Sequence, residues 1–145
     1  MLLDPVIARV KQAAPALGGR VEGAAELSAL VKSNALPQVT PASFVLPNGL
    51  RGGAADAVTG LFRQQLDEVV SVVLIVRVAG DRTGAGALPT IDTVIGQVVN
   101  AVCGWAPAGQ IGVFRLSAGR LVSLNAGAVI YQLDFAIADQ LRIAS

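Results

Sequence analysis

Few side chains in this sequence are equipped for chemistry, and their spacing does not help them. Histidine is absent from all 145 residues, which removes the commonest general base near neutral pH and the commonest zinc ligand. The single cysteine, Cys103, can form neither a thiolate metal site nor an intrachain disulfide; beside Val102 in a helical pattern it reads as a small apolar core residue. Asp67 and Glu68 are adjacent in a segment of strand character, so they point to opposite faces and do not converge as an acid–base pair. Asp134 is placed to meet Arg77 or Arg115 across a sheet, as a structural ion pair. Ser71, Ser117 and Ser123 have no histidine base and no G-x-S-x-G context. Gly80, Gly84 and Gly86 precede a helix, but Ala87 and Leu88 follow where a phosphate loop needs lysine and serine or threonine, and no dinucleotide fingerprint is spelled. What remains for that loop is weak anion binding at the helix start or a plain strand-to-helix connection. No cofactor or metal is implied, and enzymatic activity is not expected.

Composition excludes further classes. The formal charge is +1, and the eleven basic residues are spread along the chain. The six aromatic rings do not interleave with a basic run, so sequence-specific nucleic-acid binding is not indicated. The longest apolar stretch, Val72 to Val76, is closed by Arg77, far short of the roughly 20 residues of a spanning helix. Asp4 and Pro5 stand where a secretory signal needs a basic region and then an apolar one, so synthesis in the cytoplasm is the expectation. Yet 53% of the residues are hydrophobic and only 14% charged, with a mean hydropathy of +0.62. A domain of this size exposes much of its surface, so such a composition implies that copies or partners cover part of it.

The elements that would position these groups follow from periodicity. Asp4 and Pro5 begin a helix in which Val6, Ile7, Val10, Ala13, Ala14 and Leu17 share a face; Pro15 breaks its last turn and Gly18-Gly19 end it. A shorter amphipathic segment follows in "AAELSALVKSN". The prolines of "LPQVTPASFVLP" confine a strand to 42–46, and "NGLRGGAADAVTG", 48–60, reads as a long mobile loop or arm. From Leu61 the period becomes two: Phe62, Leu66, Val70, Val72, Leu74, Val76 and Val78 share one parity, as one long strand or two in line. Thr90 or Asp92 caps a second strong helix carrying Ile91, Val94, Ile95, Val98, Val99, Val102 and Trp105 on its stripe. The remainder alternates as strands separated by "SAG" and "NAG" turns. The whole predicts a single α+β domain over 1–145. Its sheet is mixed or mainly antiparallel, with two main helices packed on one face and a long glycine-rich loop.

The order of "LLDPVIARVKQAAPAL", "LPQVTPASFVLP", "FRQQLDEVVSVVLIVRV", "LPTIDTVIGQVVNAVCGW" and "GAVIYQLDFAIADQL" resembles the small tail terminator proteins of long-tailed bacteriophages, over nearly the full length and by pattern rather than by any chemical signature. The resemblance implies a virion protein made in the host cytoplasm. Its copies would form a six-membered ring on the tail tube, stop tube polymerisation and meet the head connector, with DNA passing through the lumen. It transfers no catalytic residue. Arg51, Asp56 and Arg63 around the first glycine-rich segment, with Asp81 and Arg82 in the second, are the partner-contact residues chosen for their expected exposure. A solvated surface is the plainer reading of the arginines there. Two other readings remain: another head–tail joining or tail-tube subunit, and a small-ligand-binding α+β domain using Gly80 to Gly86.

Overall fold

The apolar run at the middle of the sequence builds β3 (Leu61–Arg77), the central strand of a five-stranded sheet. The computed structural model describes residues 2–78, 85–125 and 127–144. Across the sheet the order is β1 (Val21–Glu22), β2 (Ala42–Val58), β3, β5 (Ala128–Ala144) and β4 (Phe114–Asn125). β1 runs parallel to β2 and every other pairing is antiparallel, so the sheet is mixed. Three α-helices, α1 (Leu3–Ala13), α2 (Ala24–Lys32) and α3 (Leu88–Val102), complete an α+β fold. Among the described residues, no helix is long and apolar enough to cross a membrane.

Cross-strand partners share a face of the sheet, so the register assigns each side chain a side. On one face Val70, Val72, Leu74 and Val76 of β3 join Val129, Leu133, Phe135 and Ile137 of β5. Val6 and Val10 of α1 and Ile91, Val94 and Val98 of α3 pack into the same cluster. On the other face a smaller cluster of Ala42, Phe44, Val73 and Ile75 receives Leu27 and Leu30 of α2. β3 is therefore buried on both sides from Val69 to Val76, and each large apolar side chain so placed contributes about 1.5–3 kcal/mol. Side chains also tie α3 to α1 and to the turn that follows α1: Arg9 Nε donates to the Ala101 carbonyl at 2.8 Å, and the Ala16 amide of the Pro15–Leu17 turn donates to Gln97 Oε1 at 2.8 Å.

Helix starts differ from the expected caps. Leu2 caps α1 without a side-chain bond, and Asp4 lies inside the first turn, where its charge favours the positive end of the helix dipole. α3 begins at Leu88 behind Ala87, so Thr90 and Asp92 are helical residues rather than caps; Pro89 in the first turn supplies a preset φ instead. Trp105 lies beyond the end of α3, where it stacks on Phe114 at 5.9 Å between centroids and carries Arg9 over its ring at 5.5 Å.

The largest correction concerns 48–60. The expected mobile loop is the second half of β2, paired with β3 as far as Val58 opposite Leu61. Two bulges hide it. Pro47 pairs with Val70 and Leu50 with Glu68, and Gly52 pairs with Leu66 and Ala55 with Gln64; each time β2 advances three residues against two. Gly49 at φ +89° serves the first bulge. At Gly53 a Cβ would stand 3.2 Å from the Gln65 carbonyl oxygen, too close for comfort beside a fixed backbone. Beyond the body of the domain, Leu50–Val58, Leu61–Asp67 and Ala138–Ala144 form a three-stranded arm, roughly 25 Å long at about 3.4 Å per residue.

Candidate functional site

Where the arm leaves the body, one carboxylate ties all four long strands together. Asp134 on β5 is 3% exposed. Its Oδ1 accepts from Ser71 Oγ of β3 at 2.6 Å, from Gln132 Nε2 at 2.9 Å and from Asn48 Nδ2 of β2 at 3.3 Å. Its Oδ2 accepts from Arg120 Nη1 of β4 at 3.0 Å. Asn48 and Gln132 also donate to Ser71 Oγ, at 2.8 and 3.3 Å. Burial by itself raises the Asp134 carboxyl, but hydrogen bonds from Gln132, Ser71 and Arg120, with the Arg120 charge, hold it below the ordinary carboxylate value. The group is an ionised anchor, not a proton donor poised near neutrality.

The same face continues polar down the arm. Arg115 Nη2 of β4 reaches Asp67 Oδ2 of β3 at 2.6 Å. Arg51 Nη1 of β2 donates to Ser117 Oγ of β4 at 3.2 Å, across both β3 and β5. A flat sheet would set those two strands about 14 Å apart, so this bond marks a sheet that curls toward its polar face. The β4 register also shifts between Leu116 and Ala118, opposite the Asp134 level, and bulges strengthen such curvature. Further out, Asp56 and Arg63 are register partners joined by two contacts of 3.3 Å.

Of the residues expected at a partner contact, Arg51, Asp56 and Arg63 therefore share one face of the arm. Arg51 braces β4, and the other two satisfy each other. Asp81 and Arg82 lie outside the described residues, as does most of the Gly80 to Gly86 loop. Asp134 meets Arg120 rather than Arg77 or Arg115, because register puts Gln132 and Arg120 beside it while Arg77 sits at the far end of β3, opposite Ala128. A structural ion pair at Asp134 was expected and is present, with Arg120 as its partner, but the rest of the buried network was missed. Its signal was present: Ser71 interrupts "VVSVVLIV" and Asp134 interrupts "IYQLDFAIA", and a polar residue inside a run buried on both faces requires a partner.

The arm's other face is more apolar, although Gln64, Glu68 and Asp139 also lie on it. Leu50, Phe62, Leu66, Leu141 and Ile143 fall on the side that, in the body, carries α1 and α3. Among the described residues, none of these five belongs to either helix-packed cluster, and Leu50 and Ile143 remain exposed. Among the described residues no group of three or more potential metal ligands comes together. An open, mainly apolar groove of about 460 Å³ lies between α2 and the start of β2, with Leu30, Val39 and Phe44 among its walls.

The chain, from 1 to 145, matches the model of one family, described as phage tail terminator protein. It belongs to that family. Tail terminators are structural proteins of the virion rather than enzymes, and membership places this chain in the virion tail. A solved structure with the same fold is a chain of the virion of a native gene transfer agent particle, at 19% identity, TM-score 0.50, covering 94% of this chain and 92% of that one. Among curated proteins, none matches the sequence.

Proposed function

We propose that this tail terminator assembles as a closed ring of about six copies on the end of the tail tube, stops tube polymerisation there, and presents a surface to the head connector. The observation that carries the reading is the arm. For 14.8 kDa, a globular monomer exposes about 7,000 Å², whereas this chain exposes 7905 Å², and a projecting, half-apolar sheet accounts for such an excess. Closed cyclic assembly is the ordinary way for identical chains to cover a surface of that kind. The polar, curled face, with Arg51, Arg115 and Arg120 each held by a hydroxyl or a carboxylate, suits a wall along which DNA passes without being gripped: arginines already paired offer less to phosphate.

The test adds purified protein to polymerising tail-tube subunits and follows tube length by electron microscopy. Tubes of fixed length with a ring at one end are expected. Tubes that lengthen unchecked would reject termination and favour a different joint of the head–tail region. Arg51, Asp56 and Arg63 enter this reading as residues of the polar wall, and Asp81 and Arg82 as connector contacts; charge reversal at the latter pair is expected to block head joining while leaving tube length unchanged.

A further inference from the structure

Two separate apolar patches stand uncovered on one side of the sheet. The first is the arm face of Leu50, Phe62, Leu66, Leu141 and Ile143. The second is the flank of β4, where Leu116, Leu121 and Leu124 pair with Phe135, Tyr131 and Val129 and so share the same side of the sheet. They cannot cover each other within one chain. β4 starts opposite Ile137 and runs toward Ala128, away from the arm, whose β5 strand runs from Ala138 to Ala144. We propose that they are the two halves of one contact, the arm of each copy lying against the β4 flank of the next. This deepens the ring reading and rests on it.

Three observations select a second copy as the occupant. The chain exposes 7905 Å², about 900 Å² more than a globular chain of this mass, so apolar surface is left over for a further copy to cover. Both patches are mainly apolar by the same device, alternation in a strand whose arginines, Arg51, Arg63 and Arg142 on the arm and Arg115 and Arg120 on β4, face the opposite side with Asp56; on the arm patch itself Gln64 pairs with Leu141, Asp139 with Leu66, and Glu68 with Leu50 at its base. Finally, a patch pair borne by one chain at two different places is heterologous, the type of contact that closes rings rather than stopping at dimers.

Complementation distinguishes this contact from any other. One variant blocks the arm with Leu50→Glu and Ile143→Glu; the other blocks the flank with Leu121→Glu and Leu124→Glu. These side chains are 69%, 51%, 49% and 41% exposed, so circular dichroism and thermal unfolding of the monomer should change little. By native mass spectrometry the unaltered protein should form its closed oligomer, and each variant alone should lose assembly by at least ~100-fold. Mixed together, the two should recover dimers and nothing larger, because one good arm meets one good flank. Either variant assembling like the unaltered chain, or a mixture that stays monomeric, would overturn the inference; should a double variant unfold, Leu50→Lys and Leu121→Lys carry the same comparison. An unaltered chain that is monomeric even with tail tubes present sinks the ring reading as well. Normal assembly by all variants leaves the ring standing and removes only this contact.

Discussion

Two stretches of the same strand show how differently one sheet can be held. In β3, Val69–Val76 are buried on both faces, against α1 and α3 on one side and α2 on the other. Leu61–Glu68 continue the same ladder with the same two neighbours, β2 and β5, yet face no helix cluster of their own. In both halves β3 is paired along both edges, apart from the two bulges in β2, but the packing differs. The body is stable through side-chain burial, whereas the free arm depends on cross-strand pairs worth tenths of a kcal/mol to about 1 kcal/mol each. A segment made that way is ordered by its ladder but needs a surface to become rigid.

Hydrogen exchange gives the largest test of that contrast. In the free protein, amides of Val69–Val76 should exchange only through global opening, at a cost of about 5–15 kcal/mol, while those of Leu61–Gln65 should open several kcal/mol more easily. Assembly should slow the second set sharply and leave the first unchanged; equal protection in both sets of the free chain would abolish the distinction. Next in size is Phe135→Ala, expected to lower stability by about 3–5 kcal/mol in denaturant titrations. Phe62→Ala, the same truncation in the arm, should cost about 1 kcal/mol or less in the monomer.

At the boundary between the halves, Asp134→Ala should cost about 2–4 kcal/mol, since Ser71, Asn48 and Gln132 lose their shared acceptor. The pH dependence has a definite sign. Asp134 titrates below its ordinary value when folded, so its contribution is complete above the unfolded carboxylate pKa of about 4 and declines as pH falls through the folded value. Unfolding titrations should show the unaltered chain losing stability in acid more steeply than Asp134→Ala. Smallest of all is Asp56→Ala, alone or with Arg63→Ala, expected to change stability by under about 1 kcal/mol because both partners of that pair are substantially exposed.

How much of this was legible depended on whether a pattern survived in the chain. The alternation from Phe62 to Val76 was readable because β3 has no bulge to shift its parity. β2 was unreadable past Pro47 for the converse reason: bulges at 47–50 and 52–55 flip the inside–outside rule and then restore it. Glycine there meant close backbone approach and positive φ rather than mobility. β1, two residues long, offered no periodicity to find. The sites divide similarly. Asp56 and Arg63 were visible as exposed charges, but that they answer each other follows from a register which the bulges concealed. Asp134 was visible as an odd residue in a greasy run, and its partners come from three other strands.

The paired bulges in β2 have a genetic corollary. Removing the extra residue of either bulge would leave β2 advancing in step with β3, so Leu50, Arg51, Asp56 and Ala57 would keep their partners and their sides. A deletion elsewhere in β2 has no spare residue at hand and would turn over the side chains between it and the nearest bulge, much as a frameshift misreads codons until a second one restores the phase. Length variation in this strand is therefore expected to collect at 48–49 and 53–54.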